Sequence, residues 1–168
     1  MPKQIIEDVI NDTFEGETQK NALDFVTFLR GNKMNPTNTS KNGWKISSKA
    51  CVVCYIWIES ETGTLTLNPF IGEYKHSSLS DKFKEIVWSK KPQGAPCGIC
   101  HIISGDGYNC SYKIKAIFGK NFDDACARSI VFKNPHSSEY ECLKELLLMR
   151  KNTIKHGMKL PNPPTNYA

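Results

Sequence analysis

Eight consecutive apolar residues, Cys51-Val-Val-Cys-Tyr-Ile-Trp-Ile58, constrain this chain more than any other stretch. β-Branched and aromatic side chains suit a pleated backbone. The run is apolar at odd and even positions alike, which fits a strand covered on both faces at the centre of a sheet. Glu59-Ser-Glu-Thr-Gly63 then reads as a turn, and Thr64-Leu-Thr-Leu67 alternates as the returning strand. Residues 44–48 alternate weakly. Together, residues 44–70 predict an antiparallel meander with one face packed on helices. The run is also far shorter than the ~20 residues a membrane-spanning helix needs.

Helices flank that meander. Ile5, Ile6, Val9 and Ile10 give residues 1–14 one apolar face, and Ala22, Phe25, Val26 and Leu29 give 17–30 a stronger one, with Gly31 placed to end it. Residues 32–42 are polar and aperiodic and read as an exposed loop. Leu79, Phe83, Ile86 and Val87 line a helix over 78–89, with Ser78 and Asp81 spaced as a cap. Residues 112–118 alternate as a strand, 121–128 suggest a helical turn or two, and 130–132 a strand end. Ser138 and Glu141 have capping-box spacing for a last helix to about residue 151, docked through Tyr140, Leu143, Leu146, Leu147 and Arg150. The expected fold is a single α+β domain over 1–154. It has an antiparallel sheet of four to six strands and helices mainly on one face, followed by a loose Pro-rich tail over 155–168.

The chain of 168 residues is 39% hydrophobic and 23% charged, ordinary for one soluble domain. The net charge of +5 is spread thinly, with no run of five basic residues. It reads as a solvated surface and gives no sign of a nucleic-acid face. The N-terminus carries acids early and lacks the apolar core of a signal peptide, so a cytoplasmic location is expected and a membrane partner is not.

Seven cysteines without an export signal point to thiols or metal ligands and not to disulfides. Cys97-Gly-Ile-Cys100 lies in a Pro-Gly-flanked loop and is half of a familiar zinc site. Cys110, behind the turn-rich Ser104-Gly-Asp-Gly107, and Cys126 would complete it, ahead of His101. The alternatives are free thiols in an ordered loop and a redox pair, the latter lacking the strand-then-helix context such pairs use. Cys51 and Cys54 share the same spacing. In a regular strand residues i and i+3 point to opposite faces, so they are expected to be buried structural thiols. Phosphate-loop and nucleophile-elbow patterns are absent, and His76, His101, His136 and His156 are scattered, so no acid–base pair stands out.

Phe118-Gly-Lys-Asn-Phe-Asp-Asp-Ala-Cys126, followed by Phe132-Lys-Asn-Pro135 and the capped last helix, resembles a group of short bacterial proteins of unknown function. The Cys97/Cys100 pair, the Ala22–Leu29 helix and Trp44 fit that resemblance. It implies a small helix-on-sheet domain, some of whose members bind ligands, and no catalytic residues. Three functional readings follow. The first is a binding domain with a structural zinc held by Cys97, Cys100, Cys110 and Cys126. The second is a small-molecule effector-binding domain without metal, with Trp44, Tyr55 and Trp57 as pocket walls. The third is an enzyme of unspecified reaction. Oligomeric state is not legible.

Overall fold

The structure, a computed structural model, describes residues 3–71, 79–91, 114, 116–122, 128 and 130–155. Two helices open the chain, α1 (Ile6–Thr13) and α2 (Gly16–Gly31). A meander of β1 (Asn35–Ser40), β2 (Gly43–Ser48), β3 (Cys51–Glu59) and β4 (Thr64–Pro69) follows, and then α3 (Asp81–Ser89). A small hairpin of β5 (Ala116–Ile117) and β6 (Lys120–Asn121), the short strand β7 (Phe132–Lys133) and the long helix α4 (Ser137–Lys155) complete the described order. The main sheet is antiparallel throughout, ordered β1-β2-β3-β4-β7, so β3 is the central strand that its composition predicts.

One sheet face makes the core. Trp44 and Ile46 of β2, Ile56 and Ile58 of β3, Leu65 and Leu67 of β4 and Phe132 of β7 are buried there together. Against them pack Ile6 and Ile10 of α1, Phe25, Val26 and Leu29 of α2, and Leu143, Leu146 and Leu147 of α4. Each helix burial follows the three-and-four spacing of its apolar residues. Glu7 ties α1 to α2 by accepting from Arg30 through both oxygens, Nε at 2.7 Å and Nη2 at 3.0 Å. Among the described residues, no helix is long and apolar enough to cross a membrane.

Several boundaries differ from expectation. Residues 35–40 form an edge strand where a loop was expected. Its Asn-Pro-Thr-Asn-Thr-Ser sequence has no apolar face to betray it, and it is held by backbone pairing to β2. An edge is also where Pro36 is tolerated in a sheet. Helix α2 runs through Gly31, and the left-handed position falls to Lys33 (φ 57°). There Met34 N–H donates to Leu29 O and Lys33 N–H to Arg30 O, the paired bonds of a Schellman closure. Helix α3 is capped by Ser80, whose hydroxyl accepts from Phe83 N–H; Ser78 is outside the described residues. Helix α4 starts at Ser137. Glu139, not Glu141, reaches back to accept from His136 N–H, while Glu141 pairs with Lys144. The helix extends to Lys155, four residues past the expected end.

A bulge changes the reading of the first cysteine pair. Ile46 pairs with Cys54, but the next residue, Ser47, pairs with Val52, so Val53 is an extra residue in β3. The alternation shifts by one beyond it. Cys51 lies opposite Ser48 and Cys54 opposite Ile46, and Ser48 and Ile46 share one side of β2. The two cysteines therefore belong to the same side of the sheet, not to opposite sides as a regular strand would require.

Candidate functional site

Antiparallel register places directly opposed residues on the same side of a sheet. On the face turned away from the helices, Thr37, Lys45, Tyr55 and Asn68 form one cross-strand row. Gly43, Trp57, Thr66 and Lys133 form the next. Asn35, Ser47 and Val52 form a third. Asn35, Thr37 and Lys133 are exposed, and Lys45, Ser47, Tyr55, Trp57 and Thr66 are half-buried. This face carries the aromatic chemistry the sheet does not use in its core.

Tyr55 and Trp57, two residues apart on β3, stack with ring centroids 5.4 Å apart and planes 18° from parallel. Phe70, whose N–H donates to Val53 O, extends the line at the other end and sits 6.0 Å from Tyr55. The Arg128 guanidinium lies 4.7 Å from the Tyr55 centroid and 4.9 Å from that of Phe70, closing a compact triangle. A guanidinium held against two ring faces gains cation–π attraction, most when desolvated as here. Asn68 anchors that arginine's backbone. Its Nδ2 donates to Arg128 O at 2.8 Å and to Ile130 O at 2.7 Å, all within a buried setting. Trp57 stands at the free end of the line and leans across the sheet. A Cβ on Gly43 would sit 2.3 Å from Ser40 Oγ, which can rotate away, and 3.2 Å from Trp57 Cδ1, so a larger residue there would press that ring by a few tenths of an ångström.

The residues expected to form pocket walls are thus divided. Tyr55 and Trp57 come together on the open face. Trp44 is 1% exposed on the opposite, helix-covered face, with its Nε1 donating to Gln4 O at 3.4 Å. Phe70, Asn68 and Arg128 were not foreseen. Alternation along 64–68 could have placed Asn68 beside Tyr55, but no local signal brings in Arg128 from sixty residues downstream.

The expected zinc ligands Cys97, Cys100, Cys110 and Cys126, with His101, lie outside the described residues, as do residues 112, 113 and 115 of the strand expected over 112–118 and residues 123–127 of the helical turns expected over 121–128. Among the described residues no group of three or more His, Cys, Asp and Glu could hold a metal ion. Cys51, Cys54 and Cys142 are free. Burial pushes the Cys54 thiol well above its ordinary range, against a small opposing effect from the Asn68 backbone, and the thiol donates to Tyr55 O. Burial, then the nearby Glu145 and Glu139, push Cys142 up to about 12. Both stay protonated at neutral pH and are poor nucleophiles or ligands in that form.

A second concavity, about 700 Å³, opens between α2, α3 and α4 and is lined by Phe28, Phe83, Ile86, Cys142 and Leu148. Lysines and glutamates of both signs rim it, Lys82, Lys144, Glu141 and Glu145. Comparison with family models, curated proteins and solved structures finds no match to this chain.

Proposed function

We propose that the protein is a binding module whose recognition surface is the sheet face turned from the described helices, with Trp57, backed by Tyr55, receiving a flat, unsaturated ring of the ligand. One observation carries this reading: two stacked, half-exposed aromatic rings are held in place on the rigid central strand, braced by Arg128 and Phe70. Ring–ring contact gains ~0.5–1.5 kcal/mol beyond area burial, and a pre-positioned pair loses little entropy on binding. Polar partners sit beside the rings in Lys45 and Thr66. The test uses adenosine, uridine and caffeine as neutral flat probes. Each should quench tryptophan fluorescence saturably, with the effect lost in Trp57→Leu and kept in Trp88→Phe. If no probe quenches, or Trp57→Leu responds as the parent does, the open face is not the site.

A structural zinc on Cys97, Cys100, Cys110 and Cys126 is a compatible second element of this proposal. Its support is the Cys97-x-x-Cys100 spacing, with Cys110 and Cys126 to complete the four ligands a closed tetrahedral site takes. Metal analysis of the reduced protein should find about one zinc per chain, and native alkylation of all four thiols would dismiss it.

A further inference from the structure

We infer that this sheet face takes single-stranded nucleic acid, laid across the strands with a base on Trp57, backed by Tyr55, and phosphates at Lys45 and Lys133. This rests on the stacking reading above and adds the charge and length of the ligand. Lys45 is the direct neighbour of Tyr55 on β2, and Lys133 stands at the β7 end of the Trp57 row. The three cross-strand rows contain these two lysines and no carboxylate. Among the described residues of the sheet, Glu59, one row beyond Trp57, is the acid on this face, and its Oε2 already accepts from the Thr62 hydroxyl. The patch is therefore cationic around two rings, the complement of a chain that alternates flat bases with phosphates.

The spacing favours a polymer over a single nucleotide. Lys45 and Lys133 are separated by three inter-strand steps, ~14 Å at about 4.8 Å each, with the rings between them. One base with one phosphate reaches a lysine on one side of the rings; a strand of a few nucleotides reaches both. The face is also pleated, and among its described residues Lys45, Tyr55, Trp57 and Thr66 are half-exposed and Lys133 is exposed. Small molecules take concave sites that bury most of their surface, whereas single strands make repeated shallow contacts along a sheet. Neither lysine belongs to a basic run in the sequence. They meet only through the fold, which is why the linear charge pattern carries no trace of the patch.

The experiment measures binding of fluorescein-labelled ten-nucleotide poly-U and poly-dT by anisotropy across salt concentrations, with uridine and uridine monophosphate as competitors. Two phosphate contacts predict a log–log salt slope of about −1.4, and Lys45→Gln and Lys133→Gln should each reduce it by about 0.7. Lys20→Gln, on an exposed helix site, should leave it unchanged. Trp57→Leu should weaken binding about tenfold at constant slope, the order of one stacked base. The lysine variants sit on the surface, so they test the idea even where Trp57→Leu unfolds. If uridine binds in a Trp57-dependent way but the ten-mers bind no tighter than the monophosphate, the stacking surface stands and the strand inference falls. Tight ten-mer binding indifferent to both lysines and to Trp57 also overturns it. If nothing binds, both readings fall together.

Discussion

Strand β7 pairs with β4 over only two residues, Lys133 with Thr66 and Phe132 with Leu67. A pairing that short is weak by itself, and two asparagines hold its ends. At one end Asn134 accepts from Leu65 N–H through Oδ1 and donates its own N–H to Leu65 O. At the other, Asn68 donates to both Arg128 O and Ile130 O. Asn68→Ala removes the second clamp and leaves two carbonyls in a buried setting without that donor. A lost partner for a buried polar group costs ~1–3 kcal/mol, with the lower half fitting carbonyls that keep a second lone pair. The sum for two is about 2–4 kcal/mol, or roughly 5–12 °C in Tm for a chain of this size. Urea unfolding followed by far-UV circular dichroism measures the loss. Hydrogen exchange should show its local origin, with residues 130–133 opening ahead of β3. Because Arg128 would lose its backbone anchor beneath Tyr55 and Phe70, fluorescence should also change at Trp57. A cost under 0.5 kcal/mol with unaltered exchange at 130–133 would refute the clamp.

The remaining expectations concern helix docking, backbone strain and pH. Leu143→Ala and Leu147→Ala, both fully buried on α4, should each cost ~2–4 kcal/mol in urea unfolding, and neutrality in both would mean the docked face is misassigned. Lys33 closes α2 and Ala50 completes the β2–β3 hairpin, each with positive φ (57° and 63°), so Lys33→Gly and Ala50→Gly should each stabilise by about 0.5–1 kcal/mol; a loss in either would show the residue is not strained there. The hydrogen bond from Arg30 holds the Glu7 carboxyl below its ordinary 4.5, against a smaller opposing effect of burial. A depressed acid contributes stability that is full above its unfolded value and is lost as pH falls through the folded one. Stability should therefore drop with acid below about pH 4.5, less steeply in Glu7→Gln; equal slopes would exclude the pair as a source.

Where hydrophobic pattern and burial coincide, the sequence was informative. The eight-residue run became the central strand, the returning strand followed its turn, and the three-and-four spacing in α2 and α4 picked out side chains that are buried in the core. Backbone pairing without side-chain patterning was not legible. The polar edge strand β1 shows this, since its stability comes from N–H and C=O groups every residue possesses. Capping was legible in kind but not in position. Ser80 and Glu139 took the roles expected of Ser78 and Glu141, because serines and acids are plentiful near both helix starts and only the local backbone selects one. The site was half visible. Tyr55 and Trp57 follow from the strand itself, whereas Arg128, Lys45 and Lys133 join them only through cross-strand register and a long return of the chain.

The bulge at Val53 removes the geometric ground for keeping Cys51 and Cys54 apart. A regular strand would separate Cys51 from Cys54 across the sheet and so prevent them from sharing an ion. One extra residue places both opposite the same side of β2, so orientation gives no such barrier. What distinguishes the two thiols is burial. Cys54 lies fully buried, with its thiol pushed far up by desolvation and donating to Tyr55 O, whereas Cys51 is half-exposed. A thiolate at Cys54 with no cation beside it would be a charge in an apolar setting. A Cys-x-x-Cys spacing therefore fixes no chemistry by itself: what Cys51 and Cys54 can do is set by a bulged strand that holds one sulfur in the core and leaves the other half-exposed.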